Sequence, residues 1–163
     1  MTSWTVRPEP YDSATAAALW RAYYTEVSDR WYVRETGRGT PPDELQRGVA
    51  AESGSDLAPP SGTLLVGWYG EVPGASAGLR LLGSGRAELK RVYVDGALRG
   101  SGGGTALMTA AEEAARDFGA RELVLDTRLD LVEARALYTR HGFREIPAYA
   151  SGPCSEIWYG KQL

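Results

Sequence analysis

Short runs of β-branched and aromatic residues alternate along this chain with apolar stripes at helical spacing. Trp4-Thr5-Val6-Arg7 predicts a first strand closed by Pro8. Ala16, Leu19, Trp20, Tyr23 and Val27 then recur three or four apart, one face of a helix that Asp12 or Ser13 can cap. From Ser28 to Thr40 the periodicity is lost, although Trp31 and Tyr32 remain among charged residues. Pro41-Pro42-Asp43-Glu44 opens a second short helix, to about Ala51, with proline in its first turn. Residues 52–62 are rich in Ser, Gly, Pro and acid, and read as a surface loop.

Two strands follow, Thr63 to Tyr69 and Ala75 to Leu82, joined as a hairpin through Gly70-Glu71-Val72-Pro73-Gly74. Gly83-Ser84-Gly85 turns the chain into a third strand, in which Leu89, Val92, Tyr93 and Val94 supply the apolar and aromatic character. Links this short imply an antiparallel meander. A turn through Asp95 to Leu98 and the run Arg99-Gly100-Ser101-Gly102-Gly103-Gly104 come next. After Thr105 the period becomes helical, with Leu107, Ala110, Ala111, Ala114 and Phe118 on one face and Gly119 at the C-cap. That helix is long enough to cross over to a parallel strand at Leu123 to Asp126. A last helix, Leu131 to His141, has Asp130 as its N-cap, Gly142 as its C-cap, and a buried face of Leu131, Ala134, Leu137 or Tyr138, and His141. Phe143 to Ile146 and Ser155 to Lys161 read as closing strands.

Composition narrows the class. At 163 residues the chain is a single α/β domain that can bury a core without metals or disulfides. A net charge of −3 argues against broad nucleic-acid binding. No run approaches the roughly 18 apolar residues of a membrane span, and residues 1–10 lack the apolar run of a signal peptide. Cys154 is the sole cysteine, so no internal disulfide can form, which fits the cytoplasm. No Cys/His cluster has metal-ligand spacing.

The glycine turn carries the candidate chemistry. A helix N-terminus presents unpaired N–H groups and the positive end of its dipole, glycines let a phosphate approach closely, and Arg99 adds a cation. Read without context, it is equally a flexible turn that binds nothing. A Walker A loop needs a lysine, and none occurs between Arg91 and Gly160. A dinucleotide fingerprint starts at Gly100-Ser101-Gly102, but Thr105 stands where its last small residue belongs. The pattern R-x-x-G-x-G is met by Arg99, Gly102 and Gly104, directly after a Val-Tyr-Val strand. Downstream, Ala134-x-x-Leu137-Tyr138 runs into Gly142-Phe143. With its strand, its helix and this second signature, the chain resembles the GNAT superfamily of N-acetyltransferases over nearly its whole length. The position seven residues before Tyr138, often asparagine in that family, is Leu131 here.

The resemblance implies a mixed, mostly antiparallel central sheet flanked by helices on both faces. It implies acetyl transfer from acetyl-CoA to an amine by direct attack in a ternary complex. The backbone of Val92, Tyr93 and Val94 would hold the pantetheine arm. Arg99, Gly100, Ser101, Gly102, Gly103, Gly104 and Thr105 would hold the pyrophosphate. Tyr138 would be the acid for the departing thiolate, or else a packing tyrosine. Glu88, fourteen positions before Gly102, is the candidate base; the alternatives are a strand glutamate paired with Lys90 or Arg91, and Asp126 or Glu26 as base. His141 reads as a capping or packing residue. Tyr23, Tyr24, Trp31 and Tyr32 are the expected acceptor wall, with Tyr149 and Trp158 behind it and Glu26, Asp29 and Glu35 adding acid. Such a wall suits a small-molecule or amino-acid-like amine, and almost equally a peptide terminus or lysine; surface aromatics also suit a homodimer interface. The competing class is a CoA-binding or interaction module without turnover.

Overall fold

The computed structural model describes residues 2–163. Seven strands, β1 (Trp4–Pro8), β2 (Gly62–Tyr69), β3 (Val72–Gly83), β4 (Arg86–Val94), β5 (Glu122–Thr127), β6 (Arg144–Glu145) and β7 (Ile157–Gln162), form one sheet. Their spatial order is β1-β2-β3-β4-β5-β7-β6, and only β4–β5 is parallel. The helices are α1 (Ala14–Thr36), α2 (Pro42–Ala51), α3 (Gly103–Asp117) and α4 (Val132–Arg140).

Strand alternation gives each face its own partners. Leu65, Ala75, Ala77, Leu79, Ala87, Leu89, Leu123 and Leu125 join Leu107, Met108 and Ala111 of α3 and Leu137 of α4 in the main core. On the opposite face Leu64 meets Ala16 of α1, and Val66 and Tyr93 meet Leu19. Leu57 completes that second layer at 1% exposure. The segment read as a plain surface loop is therefore anchored. A Cβ at Gly78 would lie 2.5 Å from a Leu57 methyl, so glycine in β3 makes room for the leucine.

Several element boundaries differ from expectation; β3 begins at Val72, inside the link expected over residues 70–74, and His141 rather than Gly142 is the C-cap of α4. Helix α1 continues from the last apolar stripe residue to Thr36, ending on Gly37 in the left-handed region. Its polar second half is tied by charge: Arg30 meets both Glu133 oxygens at 2.8 and 2.9 Å, and Arg34 lies 3.8 Å from Asp130. Asp130 is not the cap of α4, because Arg128 holds both its oxygens at 2.8 and 2.9 Å; Leu131 takes the cap position with no side-chain bond. Helix α3 starts at Gly103, two residues before the expected point. Its C-terminus agrees in substance. Gly119, at φ +85°, follows Phe118, and the Gly119 and Ala120 N–H groups return to the Arg116 and Ala115 carbonyls.

Candidate active site

A wedge opens in the middle of the sheet. Strands β4 and β5 pair only from Arg86↔Glu122 to Glu88↔Val124. Beyond that point β4 carries a bulge. Ser76↔Tyr93 and Gly78↔Lys90 leave Arg91 and Val92 opposite the single residue Ala77, and Arg91 sits at φ +55°. The extra residue reverses the alternation. Ala87 and Leu89 face the main core before the bulge, whereas Val92 and Val94 do so after it, and Tyr93 turns toward α1. A cleft of 590 Å³ fills the wedge, lined by Val92, Tyr93 and Val94 of β4, Thr127 of β5, and residues of α1, α3 and α4.

The glycine loop closes one end of this cleft. Gly100 and Gly102, at φ +82° and +93°, face open space, whereas a Cβ on Gly103 would lie 2.6 Å from the Trp4 ring and one on Gly104 3.0 Å from Leu137. Two glycines thus shape the turn and two allow close packing. Helix α3 has no side-chain cap and no acid in its first turn. Its first N–H groups lie where Gly103, Gly104 and Thr105 line the cleft, and the ladder of return bonds begins only at Ala106. Unpaired donors, positive φ glycines without obstruction, and Arg99 and Arg140 nearby fit a diphosphate. Ser101 is the exception among the expected loop residues. It does not line the cleft; its hydroxyl accepts from the Trp4 indole at 3.1 Å and donates to the Leu98 carbonyl.

Arg99 is engaged across the cleft mouth. Its Nη2 donates to both Glu26 oxygens at 2.8 and 2.7 Å, and its Nε to the Val94 carbonyl at 3.0 Å. Tyr138, which also lines the cleft, is 5% exposed, its ring 5.9 Å from Phe143 and 6.0 Å from Tyr159. Burial holds its phenol well above the usual tyrosine value, so it stays protonated. Burial pushes Tyr23, which lines the same cleft, up to about 12.

Glu88 and Asp126 lie on the α1 side of the sheet. Glu88 is buried with a donor on each oxygen: Arg80 Nε on Oε1 at 2.8 Å and the Tyr149 hydroxyl on Oε2 at 2.7 Å. Its ion-pair partner is thus Arg80, not Lys90 or Arg91. Arg80 and Lys90 also reach Asp56, at 3.2 and 3.4 Å. Asp126 is half-buried and accepts from Ser155 Oγ at 2.8 Å; burial raises its carboxyl, and the nearby charge of Glu88 adds to the rise.

The expected aromatic wall is not assembled as a unit. Only Tyr23 lines the cleft. Tyr24 packs edge-on against Trp20 and against Gly48 of α2, where any Cβ would strike its hydroxyl. Tyr32 donates to Glu44, and Trp31 meets Tyr32 edge to face with 40% of its surface exposed. Asp29 is held by the N–H and hydroxyl of Thr40. His141 is the C-cap residue of α4, its Nε2 3.4 Å from Thr105 Oγ1. Thr127, Glu133 and Ala136 line the cleft without having been singled out in the sequence. The run Leu123 to Thr127, placed after a crossover helix, was the available signal for Thr127; Glu133 lies one turn before Leu137 and Ala136 one turn before Arg140, which also line the cleft.

A family model described as the acetyltransferase (GNAT) family matches residues 16–143. The uncharacterized N-acetyltransferase YjgM of Escherichia coli K12 is 39% identical over 90 residues, 54% of this chain. The match takes in 53% of YjgM, so the chain spans about half the length of that curated relative. Among solved structures, a Klebsiella pneumoniae protein proposed to be an acyl-CoA N-acyltransferase superposes with a TM-score of 0.74 at 28% identity, over 98% of this chain and 97% of that one. The PaiA N-acetyltransferase of Thermoplasma acidophilum, solved with coenzyme A, gives 0.74 over 99% of both chains at 14% identity, a likeness of fold.

Proposed function

The chain belongs to the acetyltransferase (GNAT) family, and from that premise we propose that it moves the acetyl group of acetyl-CoA to the primary amine of a small-molecule or amino-acid-like acceptor, by direct attack in a ternary complex. The observation that carries the reading is the uncapped, acid-free N-terminus of α3 opening into a cleft between splayed strands. Acetyl-CoA supplies an acetyl group already activated as a thioester.

The chain's own residues do the rest. N–H groups of Gly103, Gly104 and Thr105 hold the pyrophosphate, with Gly100 and Gly102 shaping the approach and Arg99 exchanging Glu26 for phosphate oxygens. The β4 edge from Val92 to Val94, released from β5, offers backbone to the pantetheine arm. Tyr138 donates its proton as negative charge builds on the leaving sulfur. A carboxylate on the α1 side of the sheet, Glu88 or Asp126, relieves the amine of its proton, since an ammonium is no nucleophile. The acid on that side favours a cationic or neutral amine. The lone thiol, exposed Cys154, suits a reducing compartment, and we place the reaction in the cytoplasm.

The test is a screen of primary amines with acetyl-CoA, read by thiol release and by mass of the product. Amine-dependent thiol release with an N-acetylated product supports the reading. CoA binding without amine-dependent release would leave a binding module of the same fold.

A further inference from the structure

Two carboxylates share the α1 side of the sheet near the mouth of the wedge, and they are not equivalent. Glu88 stands at the last β4–β5 pair, buried, and each of its oxygens already holds a donor. Its guanidinium partner Arg80 is also its cross-strand neighbour. A carboxylate clasped this way has both oxygens engaged and none free to meet a substrate ammonium. Asp126 stands two residues beyond the last pair, where β5 has left β4. Its Oδ1 accepts from Ser155, while Oδ2 accepts no hydrogen bond among the described residues, and the side chain keeps access to solvent. Opposite it on β7, Trp158 keeps its indole N–H buried without a partner among the described residues. Asp126 thus has an oxygen to spare; it does not itself line the cleft but is the chain neighbour of Thr127, which does.

Titratable and charged groups surround it. Asp126 bears electrostatically on Tyr23 and Tyr138, which line the cleft, and on Tyr149, which clasps Glu88. The charges facing it are Glu88 and Lys90 from β4 and Arg80 from β3. Resting on the proposed amine acetylation, we infer that Asp126, not Glu88, takes the proton from the incoming ammonium, and that Glu88 with Arg80 and Tyr149 is a fixed structural clasp. One N–H bond of the ammonium breaks and its proton passes to Asp126 Oδ2. The freed lone pair forms the C–N bond to the acetyl carbon. The C–S bond then breaks, sulfur takes the Tyr138 proton, and the second nitrogen proton restores Tyr138. Asp126 returns its proton to solvent, so the sum is ammonium plus thioester giving amide, thiol and one proton. Burial lifts Asp126 above the ordinary carboxylate range, in the direction that strengthens a base.

The test compares Asp126→Asn and Glu88→Gln with wild type, using 2-phenylethylamine, ethanolamine and L-phenylalanine from about pH 6 to about pH 10, the range over which such ammonium groups begin to titrate. For Asp126→Asn we expect kcat/KM for the amine to fall about 10²-fold at neutral pH. The deficit should shrink as pH rises and free amine accumulates, with acetyl-CoA affinity unchanged. A raised folded pKa means the ionised form costs stability above it, so Asp126→Asn should melt no lower than wild type at neutral pH. Glu88→Gln should melt lower, and its pH profile should keep the wild-type shape whatever its rate. A wild-type profile for Asp126→Asn, or the pH-dependent deficit appearing in Glu88→Gln instead, overturns the assignment while leaving acetyl transfer standing. Wild-type protein that acetylates none of the three amines at any pH overturns both.

Discussion

Tyr138 is a core residue and a cleft residue at once, and that double membership decides how it can be tested. Its ring packs against Phe143 and Tyr159, so Tyr138→Phe removes only the hydroxyl. A thiolate leaving group has a conjugate acid of pKa about 8.5 and a phenol about 10, so the proton must move as charge builds on sulfur, without a resting phenolate. Burial raises this phenol further, so Tyr138 keeps its proton through the alkaline range and contributes no falling limb there. We expect Tyr138→Phe to lose about 10²-fold in kcat with acetyl-CoA affinity nearly unchanged. The loss should shrink with an acyl donor whose leaving group is a more stable anion; full kcat in a chemistry-limited assay would make Tyr138 a packing residue. Gly102 poses a binding question instead. At φ +93° beside open space, it tolerates no ordinary side chain without strain, and Gly102→Asp also sets a negative charge at the phosphate position. Acetyl-CoA at about a hundredfold excess over Kd should stabilise wild type by about 2.7 kcal/mol, and a variant folded by circular dichroism should show no such rise in Tm.

At the scale of elements, α1 is anchored by Ala16 and Leu19 in the core, and charge pairs tie its second half to the elements around the cleft. Arg30–Glu133 joins it to α4, Arg34–Asp130 to the turn before α4, and Glu26–Arg99 to the glycine loop. The Glu26–Arg99 pair is about one-third exposed, so it is worth at most about 1 kcal/mol and yields readily to a diphosphate. Glu26→Gln frees Arg99 and removes a repelling charge, so CoA should bind up to about fivefold more tightly at low salt, a gain that fades as ionic strength rises. Unchanged affinity in calorimetric titration would mean that Arg99 does not meet the ligand. On the same face, Leu57 carries the loop between α2 and β2 into the sheet. Leu57→Ala should destabilise by about 2–5 kcal/mol in urea unfolding. A cost near zero would return that segment to a surface loop.

Across the whole molecule, legibility followed how local each cause was. Arg99, Gly102, Gly104, Ala134, Leu137, Tyr138, Gly142 and Phe143 stood out because they fall in two short motifs that resemble the family's, each confined to one turn or one helix. The antiparallel meander and its single parallel pair followed from link lengths alone. The bulge was not readable, because its positive φ falls on Arg91 rather than on a glycine that would have marked it. Nor was the second half of α1, whose anchors Glu133 and Asp130 lie about a hundred positions away. The clasp on Glu88 joins residues 80, 88 and 149, and the last of these comes from a loop with no periodicity to place it. Trp31 and Tyr32 looked like a binding wall because aromatic content was visible and direction was not.

The account stands on direct passage of acetyl from CoA to an amine inside this cleft. The measurement that reaches it is a single-turnover quench with acetyl-CoA labelled in the acetyl group, in the presence of 2-phenylethylamine, with label followed in CoA, amine, protein and free acetate. The expected result is label leaving CoA and appearing in N-acetylated amine at the same rate, with none on protein. Label resting on protein first, or released as acetate at a rate indifferent to the amine, would contradict it.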